Sequence, residues 1–164
     1  MGFKRLEELE AELPSYGKKD YKDRYLADIG MLNMELANYE FYMGGEVEKL
    51  FERSGDYEWL EDNHNFIQWM FPNHFESSIN LDTLPMGYLE VQLFRNTKAL
   101  GQKLLRSINI FLDFMGVHLD GQGTMSIASK DRLRSALLVN THNHLRIRRL
   151  MACTSICGFR GICT

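Results

Sequence analysis

Apolar residues recur three and four positions apart along most of this chain, which is the spacing of one face of an α-helix. Leu6, Leu9 and Leu13 stand between glutamates and predict an amphipathic first helix ended by Pro14. Tyr25, Leu26, Ile29, Leu32, Leu36, Tyr39 and Tyr42 continue a helical period toward Gly44-Gly45, with Gly30 as a possible division. Val47, Leu50 and Phe51 predict a short helix closed by Ser54-Gly55. Asp56 is a good N-cap, because its carboxylate can accept the free N–H groups of a first turn. The helix it opens is predicted to run to Phe71 and stop at Pro72. Leu60, His64, Ile67 and Phe71 share one stripe of it, and Trp59, Asn63, Phe66 and Met70 the adjoining one. Two largely apolar stripes predict a core helix, with His64 on a buried face.

Residues 73–82 read as a loop, after which Thr83 is a predicted cap with Pro85 in the first turn of a helix carrying Leu89, Leu93 and Phe94. The strongest pattern follows: Leu100, Leu104, Ile108, Phe111, Leu112 and Met115, with Gly116 as the stop. Residues 116–129 read as a glycine-containing connector. A shorter helix (Leu133, Ala136, Leu137) breaks at Asn140, and a last one runs from about Thr141 to about Cys157. No alternating run exceeds a few residues, and there are no internal repeats. The expectation is an all-α fold, a single irregular bundle of roughly seven or eight helices, in one domain of ordinary size.

The net charge of −3 conceals an asymmetry. Residues 1–82 hold 8 Lys/Arg against 18 Asp/Glu, and residues 83–164 hold 11 against 4. Either the two halves pack with complementary fields, or the basic half meets an anionic partner such as RNA, phospholipid or an acidic peptide. Three cysteines confined to the last dozen residues, Cys153, Cys157 and Cys163, are no disulfide framework and predict a reducing compartment. The charged N-terminus is not a secretory signal, and the most apolar run, Ile108 to Leu119, is broken by Asp113 and falls short of the ~20 residues that span a bilayer. An intracellular protein without a membrane span is expected.

Catalytic and metal motifs are missing from the sequence. His142 and His144 diverge by about 200° on a helix and cannot chelate one ion together. No phosphate loop, dinucleotide fingerprint, zinc-protease motif or nucleophile elbow occurs, and Gly121-Gln122-Gly123 lacks the preceding strand and following helix that phosphate binding needs. No catalytic residue, metal ligand or cofactor is therefore assigned. His64, with Gln68 one turn later, reads as a core histidine or a ligand contact. Arg146 and Arg149 share a helix face and could grip a carboxylate or phosphate, or meet the acidic half, while Arg148 points elsewhere.

The segment Tyr57-Glu58-Trp59-Leu60-Glu61-Asp62-Asn63-His64-Asn65-Phe66-Ile67-Gln68-Trp69-Met70-Phe71-Pro72 resembles a stretch of the opioid growth factor receptor family: an acidic helix, Asn-His, then Ile-Gln-Trp-Leu-Phe-Pro. Phe114-Met115-Gly116-Val117-His118-Leu119 with Gly123-Thr124, and Thr141-His142-Asn143-His144-Leu145-Arg146-Ile147-Arg148-Arg149-Leu150, resemble two further segments in the right order. Asn38 with Phe41-Tyr42 fits the opening of the family's domain. On this resemblance, residues 1–37 are an N-terminal helical extension, 38–157 the conserved helical domain and 158–164 a short tail, as in a truncated or divergent member. A last helix so placed predicts exposed apolar residues such as Leu150 and Met151.

The resemblance implies a non-enzymatic receptor-like module that binds the peptide Met-enkephalin and takes part in negative regulation of cell growth. It implies a nuclear, perinuclear or cytoplasmic location with peripheral membrane association at most. A peptide with free ends suits an apolar aromatic wall and one cation. The candidate contacts are accordingly His64, Phe66, Gln68, Trp69, His142, Asn143, Arg146 and Arg149. The alternative is a nuclear scaffold for protein partners, or less readily nucleic acid, that uses the basic C-terminal half.

Overall fold

The computed structural model describes residues 36–74 and 85–158. The helices expected around Leu6–Leu13 and Tyr25–Leu32, the Thr83 cap and Cys163 lie outside these residues.

Among the described residues the order is α1 (Ala37–Met43), α2 (Glu46–Phe51), α3 (Tyr57–Asp62), α4 (Ile67–Met70), α5 (Tyr88–Asn96) and α6 (Lys98–Phe114). A hairpin of β1 (Val117–Leu119) and β2 (Met125–Ile127) comes next, then α7 (Lys130–Arg134), a π-helical turn (Ser135–Val139) and α8 (Asn143–Ile156). The fold is predominantly helical, as the periodicity predicts. No described helix is long and apolar enough to cross a membrane.

The long helix α6 is the axis of the core. Leu100, Leu104, Ile108 and Phe111 are buried on its inner face at the predicted spacing. Tyr42, fully buried on α1, joins three elements: its hydroxyl donates to the Met70 carbonyl on α4 and lies 2.9 Å from Ser107 Oγ on α6. Burial pushes the Tyr42 phenol well above its ordinary pKa, so the hydroxyl stays a donor. Glu90, also fully buried, links α5 to the start of α1. Its carboxylate accepts from the Tyr39 N–H at 2.9 Å and Asn38 Nδ2 at 3.2 Å, and from its own Gly87 N–H at 3.4 Å. A carboxyl group from another helix thus accepts one of the orphan donors of the α1 N-terminus, the Tyr39 N–H. Pro85 precedes α5 rather than sitting in its first turn.

Two departures from the sequence reading have physical causes. The connector after α6 is a β-hairpin, with Val117 opposite Ile127 and Leu119 opposite Met125. Gly116 turns the chain with φ +83, and its carbonyl accepts from Ala128 and Ser129 N–H groups at 2.8 and 3.0 Å. Asp120 closes the far end by accepting from Gln122 and Thr124 N–H groups at 2.8 Å each, which lowers its pKa. A strand therefore does precede Gly121-Gln122-Gly123, but a second strand rather than a helix follows it. The other departure is that the helix expected from Asp56 to Phe71 is two helices. Asp56 does cap the first, accepting the Trp59 N–H at 3.2 Å. Asn63 then turns extended, and its side chain accepts the Asn65 N–H at 3.0 Å in an Asx turn that competes with the helix.

Candidate functional site

The break between α3 and α4 is where most of the predicted site residues meet, Trp69 excepted. The last carbonyls of α3 need donors, as every helix end does. Arg146, projecting inward from α8, supplies them. Its Nη1 donates to the Leu60 carbonyl at 2.6 Å, and its Nη2 to the carbonyls of Glu61 at 3.2 Å and Asn63 at 2.9 Å. The guanidinium also lies over the Phe66 ring, 5.4 Å from its centroid. One planar cation thus closes a helix C-terminus, the end of the macrodipole that favours positive charge. Burial lowers the Arg146 pKa from its ordinary value, with Glu61 opposing the effect.

Two neighbours complete the clasp. Asn143 Nδ2, at the start of α8, donates to the Glu61 carboxylate at 3.2 Å, and His142 Nε2 lies 2.8 Å from Glu61 Oε1. One turn after Arg146, Arg149 Nη2 donates to the Gln68 carbonyl on α4 at 3.3 Å. The face shared by Arg146 and Arg149 therefore grips main-chain carbonyls of the acidic half, rather than a free carboxylate or phosphate. Arg146, Phe66, Gln68 and Asn143 are all buried. As a cation and an aromatic wall for a ligand, Arg146 and Phe66 are replaced by this structural use. Trp69 stands apart from them, stacked on Phe41 with centroids 4.9 Å apart.

His64 departs most from expectation. It is exposed, because the turn at Asn63 swings it off the buried stripe of α3. Its ring meets His142 edge to face, with centroids 5.0 Å apart. Nδ1 of His64 lies 3.5 Å from Arg146 Nη2. Desolvation, followed by the charge of Arg146, lowers the His64 pKa below 6.5 and favours the neutral ring. The last helix likewise splits the prediction for its apolar residues: Leu150 is buried and Met151 exposed. Cys153 and Cys157 lie in ordered helix or at its cap and are buried, and burial raises the Cys153 thiol pKa well above its ordinary value.

His64 opens onto a cleft of about 710 Å³ lined by Asp56, Glu58, Trp59, Asp62, Asn63, His64 and Asn65. Asp56 is engaged by the Trp59 N–H and by Arg53, 3.2 Å away. Glu58 and Asp62, at i and i+4 on one face of α3, have no ion-pair partner among the described residues. Trp59 is half-buried, tilted against Phe66 at 5.2 Å with Arg53 4.7 Å from its centroid. An open cleft with two carboxylates lacking an ion-pair partner among the described residues, an indole and an imidazole suits a cation attached to an aromatic or apolar group. The sequence reading missed Glu58, Trp59 and Asp62 as site residues. Their signal was the acidic pair one turn apart flanking a tryptophan.

Residues 33–162 match the opioid growth factor receptor conserved region. The chain is 30% identical over 131 residues to the opioid growth factor receptor of Rattus norvegicus, covering 73% of this chain and 22% of that protein. The human receptor gives 30% over 131 residues, 73% of this chain and 19% of that protein. Opioid growth factor receptor-like protein 1 of Xenopus tropicalis is 32% identical over 154 residues, 86% of this chain and 30% of that protein. The chain thus spans only about a fifth to a third of the length of the curated relatives it matches. No solved structure matches it.

Proposed function

The chain belongs to the opioid growth factor receptor family, and from that premise we propose that it is a non-enzymatic peptide-binding module that takes Met-enkephalin and acts in negative regulation of cell growth, at the nucleus or its periphery. The observation that carries this reading is the cleft beside α3, where Glu58 and Asp62 stand next to Trp59 and His64. A short peptide with a free amine brings a cation and side chains for that surface. Its ammonium would lie against the two carboxylates, and an aromatic side chain against the exposed part of Trp59. At His64, desolvation and the charge of Arg146 disfavour the protonated ring, which limits opposing charge at the cleft. The clasp from α8 has a supporting role in this reading: it fixes the turn that presents Asn63, His64 and Asn65 to the cleft.

Titration calorimetry of the folded chain with Met-enkephalin tests the proposal. Saturable binding that weakens in Glu58→Gln/Asp62→Asn is expected. A folded protein with no saturable heat at high micromolar peptide would overturn it.

A further inference from the structure

The hairpin after α6 leaves one strand edge open. Its register sets Val117 opposite Ile127, His118 opposite Ser126 and Leu119 opposite Met125. Just beyond these pairs, the Asp120 N–H donates to the Thr124 carbonyl at 3.0 Å and the Ala128 N–H to the Gly116 carbonyl at 2.8 Å. Opposite residues in an antiparallel pair alternate between bonded and non-bonded, so His118 and Ser126 are the bonded partners between them. The N–H and C=O groups of Met125 and Ile127 therefore point away from β1, and no partner meets them among the described residues. The side chains of the same two residues are 53% and 58% exposed, on the face that carries Leu119 and Val117.

An exposed edge is normally guarded by a charge, a proline or a bulge that keeps other strands away. Here the guard is missing: residues 121–129 contain no charge and no proline. We infer that β2 is a contact between two copies of this chain, pairing antiparallel with β2 of a second copy to make a four-stranded sheet.

The strand is complementary to itself, which is what a second copy requires. About a two-fold axis at Ser126, Met125 of each copy stands opposite Ile127 of the other, as a hydrogen-bonded pair. Every outward N–H and C=O of Met125 and Ile127 then has a partner. The apolar face continues across the join in two rows, each running from Leu119 and Met125 of one copy to Ile127 and Val117 of the other. Because the run is uncharged, no like charges are brought face to face. So short a strand covers much less than the roughly 800 Å² per partner of a standard stable interface, so the dimer is weak and reversible.

Sedimentation velocity of the full chain, from low micromolar to about 1 mM, reads the contact. The wild type should pass reversibly from monomer to dimer. Ile127→Pro removes an outward N–H and no bond to β1, so it should weaken dimerisation about tenfold or more, with helical circular dichroism unchanged. Met125→Glu/Ile127→Glu and Met125→Lys/Ile127→Lys should each stay monomeric alone and form a heterodimer when mixed, because position 125 of each copy faces position 127 of the other. Both side chains are already exposed, so the charged variants keep the fold. A wild type that stays monomeric throughout would overturn the inference. So would a dimer that survives in Ile127→Pro, or charged variants that fail to pair on mixing, because another surface would then be the contact.

Discussion

Arg146 on α8 donates to the carbonyl of Asn63, 83 positions earlier, at 2.9 Å. That bond joins the basic and acidic halves of the chain at the residue where α3 stops. It makes the helix break, the exposure of His64 and the burial of an arginine one arrangement. Replacing Arg146 by Met would keep much of its volume and remove every donor from the carbonyls of Leu60, Glu61 and Asn63. The expected loss is about 3 kcal/mol, the scale of hydrogen bonds from a charged group withdrawn from buried acceptors. Urea unfolding of Arg146→Met beside the wild type checks this, and an unchanged midpoint would contradict it.

Glu90 gives a dependence on pH. Burial pushes its carboxyl up from 4.5 to about 7, against the hydrogen bonds from Tyr39, Asn38 and Gly87. The folded chain therefore holds a proton that the unfolded chain has already released. Stability should fall as pH rises from about 4.5 to 7, by at most roughly 1.4 kcal/mol per unit, and level off above. Glu90→Gln keeps a carbonyl acceptor and cannot ionise, so its stability should lack this slope. Unfolding curves of both proteins across that range decide the matter.

Gly116 tests the hairpin junction. At φ +83 a side chain is strained, and a Cβ there would sit 2.4 Å from the Ser129 carbonyl oxygen and 2.9 Å from the Leu133 nitrogen. Both are backbone atoms that cannot swing aside. Gly116→Ala should cost at least about 2 kcal/mol, more than strain alone at an open left-handed position. Gly55, at φ +83 with nothing near its would-be Cβ, is the reference: Gly55→Ala should cost less. Thermal unfolding of the two variants compares them.

His64 links the cleft to pH. Desolvation and the charge of Arg146 push its pKa down, and in the proposed complex protonation would place a positive charge beside the peptide ammonium. Affinity for Met-enkephalin should stay flat near neutrality and fall as pH drops through the lowered pKa. His64→Asn should remove that part of the fall and leave binding at pH 7 little changed. Calorimetric titrations of both proteins from pH 7.5 downward measure it.

What the sequence could and could not reveal divides along the range of the interactions. The core spacing of Leu100, Leu104, Ile108 and Phe111, the stop at Gly116 and the cap at Asp56 depend on neighbours within a few residues, and all three are where the pattern puts them. The break at Asn63 was partly written in Asn63 and Asn65, both turn-prone, but the apolar stripe through Ile67 and Phe71 argued for continuity. Its closure by Arg146 comes from far along the chain and has no local signature. The reading that Arg146 meets the acidic half holds, but the same distance hid its acceptors, which are main-chain carbonyls rather than carboxylates. Trp59 and Trp69 looked equivalent in an apolar pattern. Only packing separates them, with Trp69 stacked on Phe41 and Trp59 at the rim of an acidic cleft. The hairpin after α6 was too short to show an alternation.

Occupancy of the α3 cleft by the proposed peptide is read most directly at the two tryptophans, the only ones in the chain. Each gives one indole N–H resonance in a ¹⁵N-labelled sample titrated with Met-enkephalin. The Trp59 resonance should shift saturably while that of Trp69 stays in place, and the shift should vanish in Glu58→Gln/Asp62→Asn. Two unmoved indoles at high micromolar peptide, or a shift confined to Trp69, would contradict the account.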